Sequence, residues 1–228
     1  MIQHILFDLD NTLYPPSTGL MAAVDRRIAR YFARELGLRL PEAEQLRADY
    51  CWQYSSCTTG VLRGARLDLD AFLTDVHAIP VEHHLLAPNP ALAAMLKQLQ
   101  LVKWIFTNAP AEYARRVLDA LGVMGHFRGI FDIRFLGFVG KPEPAAYERV
   151  LAAIGARGEE CAMVEDSVAN LAPAAALGMT TVLVTAGGGV PEPWVDVTAS
   201  DLSELPAVLN SVVRTQTPLA LDRVGTST

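Results

Sequence analysis

Short apolar runs alternate with helical stretches over most of this chain, and that alternation restricts its fold more than any other feature. Asn89-Pro90 opens a helix, with a capping side chain followed by proline at the first helical position. Leu92, Met95, Leu96 and Leu99 supply its apolar face. Val102–Phe106 then reads as a strand, and a helix through Tyr113, Val117 and Leu121 ends at Gly122. Ile130–Ile133 is the next strand, Pro144–Ile154 a helix, and Cys161–Val164 a strand. A helix to Leu177-Gly178, a strand over Thr181–Val184, a sixth strand at Val195–Val197 and a helix from Asp201 to Val213 complete the series. Strands separated by helices of this length cannot pair as hairpins. They predict an α/β fold, a doubly wound parallel sheet with helices on both faces.

The first strand lies apart from this series. Ile5-Leu6-Phe7 is a buried apolar run that ends in Asp8-Leu9-Asp10-Asn11-Thr12-Leu13. No strand pattern follows for about seventy residues. Met21, Val24, Ile28, Tyr31, Phe32 and Leu36 recur at helical spacing, and Gly37 stops the helix. A second helix opens at Pro41, the stretch Ser55–Gly60 is turn-like, and a short helix carries Leu69, Phe72, Leu73 and Val76. This block is too long for a simple crossover. It reads as an inserted all-helical cap over residues 16–85, the core being residues 1–15 and 86–213, with a polar tail over 214–228.

Bulk composition excludes several classes. Apolar residues make up 51% and charged residues 19%, as in a globular protein. The net charge is −6, and no Lys/Arg cluster marks a nucleic-acid or anionic-membrane surface. No apolar run is long enough to span a membrane, and Asp8 and Asp10 interrupt the region where a signal peptide would need apolar residues, so a cytoplasmic location is expected. Cys51, Cys57 and Cys161 are scattered and odd in number, and read as small buried hydrophobes rather than a disulfide framework or zinc site.

The chemistry gathers at strand ends. Asp8 and Asp10 sit at i and i+2, on one face of an ending strand. Two acids there are costly in an apolar core and reasonable at the carboxyl edge of a parallel sheet, where such folds bind ligands. Thr107-Asn108 and Glu165-Asp166 end two further strands, and Lys141 follows a loop. Together they supply carboxylates, one ammonium and one hydroxyl, with no His or Cys among them. That set suits a hard ion such as Mg²⁺ rather than zinc, a lysine beside it suits phosphate, and an ionised carboxylate can serve as a nucleophile. Other candidates read as structural: Arg63 as solvated, His77, His83 and His84 as surface histidines. Gly187-Gly188-Gly189 reads as a connection, since it lacks the lysine and serine of a phosphate-binding loop.

The ordered set Phe7-Asp8-Leu9-Asp10-Asn11-Thr12-Leu13, Phe106-Thr107-Asn108, Gly140-Lys141-Pro142-Glu143-Pro144 and Val164-Glu165-Asp166-Ser167 resembles the haloacid dehalogenase superfamily of phosphohydrolases, over nearly the whole chain. The stretches Asp10–Pro15, Lys103–Asn108 and Asp166–Leu171 resemble more closely its pyrimidine 5′-nucleotidase branch. The resemblance implies a Rossmann-like core with a helical cap placed after the first strand. It implies that Asp8 attacks phosphorus and that Asp10 protonates the leaving alkoxide and then activates water. Thr107, the amide of Asn108, and Lys141 would bind phosphate. Asp8, the carbonyl of Asp10, and Asp166 would hold Mg²⁺, with Glu165 behind them. The implied function is hydrolysis of a small phosphorylated substrate, a nucleoside 5′-monophosphate with a pyrimidine base preferred. The alternatives are a phosphatase or mutase for a small sugar phosphate or other phosphometabolite, and a catalytically silent phosphate-binding regulator.

Overall fold

The computed structural model describes residues 1–54, 60–61, 64, 67–81, 86–185 and 192–215. Arg63, His83, His84, Cys57, Gly187-Gly188-Gly189 and the tail beyond Thr215 lie outside the described residues.

Six parallel strands form one sheet: β1 (His4–Phe7), β2 (Val102–Phe106), β3 (Gly129–Phe131), β4 (Cys161–Glu165), β5 (Thr180–Val184) and β6 (Val197–Ala199). Their spatial order is β3-β2-β1-β4-β5-β6. β1 therefore lies inside, paired with β2 on one side and β4 on the other. Chain order reverses at that point, which is where doubly wound sheets open a crevice beyond their strand ends.

The apolar runs are continuous because both faces of the sheet are covered. Ile5 and Phe7 face one cluster, with Ile105, Val164 and Val182. Leu6 points the other way, with Phe106, Cys161 and Met163. Helices α4 (Pro90–Gln98), α5 (Ala111–Ala120) and α8 (Leu205–Thr215) cover the first face through Leu92, Met95, Tyr113, Val117, Leu205 and Leu209. Helices α6 (Pro144–Ile154) and α7 (Val168–Ala176) cover the second through Tyr147, Val150, Leu171 and Ala174.

Between β1 and β2 run α1 (Leu20–Leu36), α2 (Leu40–Tyr54) and α3 (Leu69–Val76). The stripe Leu20, Val24, Ile28 and Phe32 turns one face of α1 inward, where it packs on α2 and α3. The Phe32 ring stacks on Phe72 at 5.9 Å and meets Tyr50 edge-on at 5.8 Å. Gly37 closes α1 at φ 65°, a left-handed value that glycine adopts without steric cost. No described helix is long and apolar enough to cross a membrane.

Four expectations are corrected. β3 stops at Phe131, because the Asp132 carboxylate turns to accept the amides of Ala111 and Phe135, each at 2.9 Å. β6 begins at Val197 rather than Val195, since Asp196 Oδ2 is held by the Thr181 amide at 2.8 Å. Cys51 is disulfide-bonded, whereas Cys161 is free and buried as expected. His77 is not a surface histidine. Its ring packs on Tyr113 at 4.9 Å, its Nδ1 donates to the Leu73 carbonyl at 2.9 Å, and burial pushes its pKa down to about 4.

Candidate active site

The crevice beyond β1 and β4 holds a charged knot in an otherwise apolar interior. Asp8 follows the last residue of β1 and stays in register, its amide donating to Val164 O at 2.9 Å. Its two oxygens are used separately. Oδ1 accepts from Lys141 Nζ at 2.6 Å, and Oδ2 accepts from Thr12 Oγ1 at 3.0 Å. Thr12 also lies 3.3 Å from Asp166 Oδ1, so one hydroxyl touches both carboxylates.

Lys141 is 1% exposed and arrives from the loop before α6. Its ammonium also donates to Glu165 Oε1 at 2.9 Å and lies 5.1 Å from the Phe106 ring centroid. Burial alone would favour the neutral amine. The attraction of Asp8 and Glu165 overcomes it, and the lysine pKa ends above its ordinary value.

Glu165 ends β4 with no exposed surface. Its Oε1 takes Lys141 and the Asn170 side-chain amide, and its Oε2 takes the backbone amides of Asp166 at 2.7 Å and Ser167 at 3.0 Å. Burial opposes its charge, but Lys141 and these donors hold its pKa below the ordinary carboxylate value. With two bonds at each oxygen it anchors its neighbours.

Asp8, Glu165 and Asp166 offer oxygens that all lie within 4.8 Å of one another. They carry three formal negative charges against the single positive charge of Lys141. Burial and the neighbouring Glu165 push the pKa of Asp8 up to about 7 and that of Asp166 up to about 8. Fully ionised, the set would be two charges short of neutral; that strain, and donors that are all oxygen, fit a hard divalent cation.

Asp10 is placed differently. Its carboxylate is not in that cluster. Oδ1 accepts hydrogen bonds from Tyr14 and, at 3.0 Å, from Tyr113 on α5. Oδ2 accepts none among the described residues. Burial raises the pKa of Asp10, against the pull of the two tyrosine donors.

Thr107 follows β2 with 1% exposure, and its Oγ1 accepts the Ala109 amide at 3.0 Å. Its hydroxyl proton meets no acceptor among the described residues, nor does the Asn108 amide. The Asn108 side chain has another task. Its Nδ2 donates to Lys141 O and its Oδ1 accepts from Lys141 N, both at 2.8 Å. This two-way clamp fixes the lysine backbone. A Cβ on Gly140 would lie 2.2 Å from Asn108 Oδ1, so only glycine fits beside it.

A cavity of about 370 Å³ adjoins the knot. Asn11, Thr12 and Asp166 line it together with Leu92, Met95 and Ser200. Tyr14, Tyr113, Asn170 and the Asn108 side chain were not assigned roles from the sequence. A tyrosine on the buried face of α5 did carry a signal, since a buried hydroxyl needs a partner.

The family model of haloacid dehalogenase-like hydrolases matches residues 2–178 of this sequence. Phosphate metabolism protein 8 of Saccharomyces cerevisiae is 28% identical over 194 residues, covering 78% of this chain and 60% of the yeast protein. A phosphoglycolate phosphatase of Pseudomonas syringae pv. syringae is 28% identical over 197 residues, covering 80% of this chain and 69% of that enzyme. The fold is shared with a HAD phosphatase from Thermococcus onnurineus (TM-score 0.65, 22% identity, 91% of this chain and 98% of that one). It is also shared with the L-2-haloacid dehalogenase of Xanthobacter autotrophicus (TM-score 0.60, 17% identity, 92% and 99%).

Proposed function

Because the chain belongs to the haloacid dehalogenase-like hydrolases, we propose that it is a Mg²⁺-dependent phosphomonoesterase working through an aspartyl-phosphate. The observation that carries this reading is the division of labour between two carboxylates two positions apart. Asp8 is ion-paired with Lys141 within the cluster, whereas Asp10 stands outside it, with Oδ2 accepting no hydrogen bond among the described residues.

Asp8, the Asp10 carbonyl and Asp166 would hold the cation, with Glu165 fixing Lys141 and the Asp166 backbone from behind. When bound, Mg²⁺ would screen the negative charges of Asp8 and the substrate from one another. Lys141, the Thr107 hydroxyl and the Asn108 amide would receive the phosphoryl oxygens. An Asp8 oxygen forms a bond to phosphorus as the ester P–O bond breaks, and Asp10 gives its proton to the departing alkoxide. Asp10, now ionised, takes a proton from water as that water attacks the phosphorus of the aspartyl-phosphate. Inorganic phosphate leaves and Asp8 is restored.

A halide leaving group needs no proton, so a half-buried acid kept at Asp10 favours an oxygen leaving group over carbon–halogen cleavage. Residues 16–85 would act as a cap that selects the leaving group and keeps water from the phosphoryl transfer. The substrate reading is a nucleoside 5′-monophosphate, pyrimidine preferred, on the strength of the stretches Asp10–Pro15, Lys103–Asn108 and Asp166–Leu171. The second reading is a small phosphometabolite, favoured by the likeness to a phosphoglycolate phosphatase. Phosphate release from UMP, CMP, dTMP, AMP, GMP, phosphoglycolate, sugar phosphates and an aryl phosphate, with and without EDTA, tests both. EDTA-sensitive turnover of UMP and CMP above the purine nucleotides supports the first reading. Preference for phosphoglycolate or a sugar phosphate selects the second. No turnover of any ester by folded protein overturns the phosphatase.

A further inference from the structure

Asp10 has an uncommon environment for an acid–base group. Two tyrosine hydroxyls converge on the same carboxylate oxygen, one from the segment after β1 and one from α5. The hydroxyls lie 3.2 Å apart. Tyr14 and Tyr113 are 3% and 0% exposed. Each phenol has one proton to give, and Oδ1 lies within hydrogen-bond reach of both. The consequence is an asymmetric carboxyl group. Oδ1 is fixed by donors, and Oδ2 is the position left to carry a mobile proton. The Tyr113 ring is itself braced by His77, beyond the end of α3.

We propose that Tyr14 and Tyr113 are a pair of positioning residues for Asp10, clamping Oδ1 so that Oδ2 is presented to the leaving oxygen. The proposal rests on the phosphomonoesterase reading above. It differs from a packing role in one respect. Packing would support every substrate alike, whereas proton delivery matters only when the leaving group is a poor one. A primary alkoxide must be protonated as it departs, and a nitrophenolate need not be.

The experiment measures phosphoenzyme formation by rapid quench for a primary alkyl phosphate and for p-nitrophenyl phosphate, in the wild type, Tyr14→Phe, Tyr113→Phe and the double variant. Each change removes one oxygen and keeps the ring, and thermal melts verify folding. The expected result is a fall of roughly tenfold to a hundredfold with the alkyl phosphate, little change in its KM, and a nearly unchanged rate with the nitrophenyl ester. Equal losses on both esters, a rise in KM alone, or no change in either rate overturns the positioning role. Asp8→Asn separates this from failure of the underlying reading. If the wild type forms no phosphoenzyme, or Asp8→Asn leaves turnover intact, the phosphatase itself falls. If Asp8→Asn is inactive while the tyrosine variants keep the leaving-group dependence of the wild type, only the positioning role falls.

Discussion

The Lys141 ammonium donates to Asp8 Oδ1 across 2.6 Å, from a position with almost no access to water. Removing that ammonium leaves Asp8 and Glu165 as uncompensated buried charges. Lys141→Met is expected to cost about 3–5 kcal/mol, read from urea denaturation. Adding Asp8→Asn to that variant should return part of the loss, because one of the stranded charges goes with it.

Asp8→Asn alone is expected to lower turnover by about three orders of magnitude or more, since an amide cannot form the acyl-phosphate. Phosphate release and acid-stable incorporation of labelled phosphate both measure it. Wild-type turnover in this variant would remove Asp8 from the covalent role.

Three clustered carboxylates facing one ammonium predict a cation-dependent protein. EDTA should abolish phosphate release and Mg²⁺ should restore it. Mg²⁺ should also raise the melting temperature of the chelator-treated protein, because it binds the folded cluster and not the unfolded chain. Asp166→Asn should lose that rise while keeping the fold. A melting curve indifferent to Mg²⁺ would contradict the assignment.

Gly140→Ala places a Cβ 2.2 Å from Asn108 Oδ1. The two-way clamp on the Lys141 backbone must then open. The expected cost is about 1–3 kcal/mol, with a weaker hold on inorganic phosphate in a competition assay. Asn108→Ala should weaken phosphate binding in the same direction without the clash.

His77 sets a pH dependence of stability. Its folded pKa, about 4, lies below its ordinary 6.5. As pH falls through this interval the unfolded chain binds the proton and the folded one does not, so stability falls with it. Above about pH 6.5 the two states match and His77 contributes no slope. Urea midpoints from pH 7 to pH 4 should decline less steeply in His77→Gln than in the wild type.

The sheet was legible because each strand is a short apolar run closed by a polar turn. The carboxylates and Lys141 were legible because their motifs are local and stand at strand ends. What escaped the sequence depends on contacts between distant residues. The Tyr14–Tyr113 approach joins two segments that only the folded sheet brings together, and along α5 Tyr113 reads as one more apolar residue. The Asn108 side chain was hidden likewise, since its partner is the backbone of Lys141. The ends of β3 and β6 were displaced by Asp132 and Asp196, whose carboxylates compete for backbone amides in a way that hydrophobic period cannot register.

The interior place of β1 also governs when this protein can come into being. Its partners are Val102–Ile105 on one side and Cys161–Val164 on the other. On a ribosome, the strand leading to Asp8 emerges before either partner and keeps one edge unpaired until both have been synthesised. Its exposed apolar run is then a template for wrong pairing, and the helices that follow can form while it waits. Asp8 thus follows a strand that is made before both of its partners and is secured only when the second of them is in place. Holding translation before residue 161 should leave the β4 edge of Ile5-Leu6-Phe7 open to protease or chaperone, and release from that arrest should close the crevice around Asp8 in the same event that pairs β1 with β4.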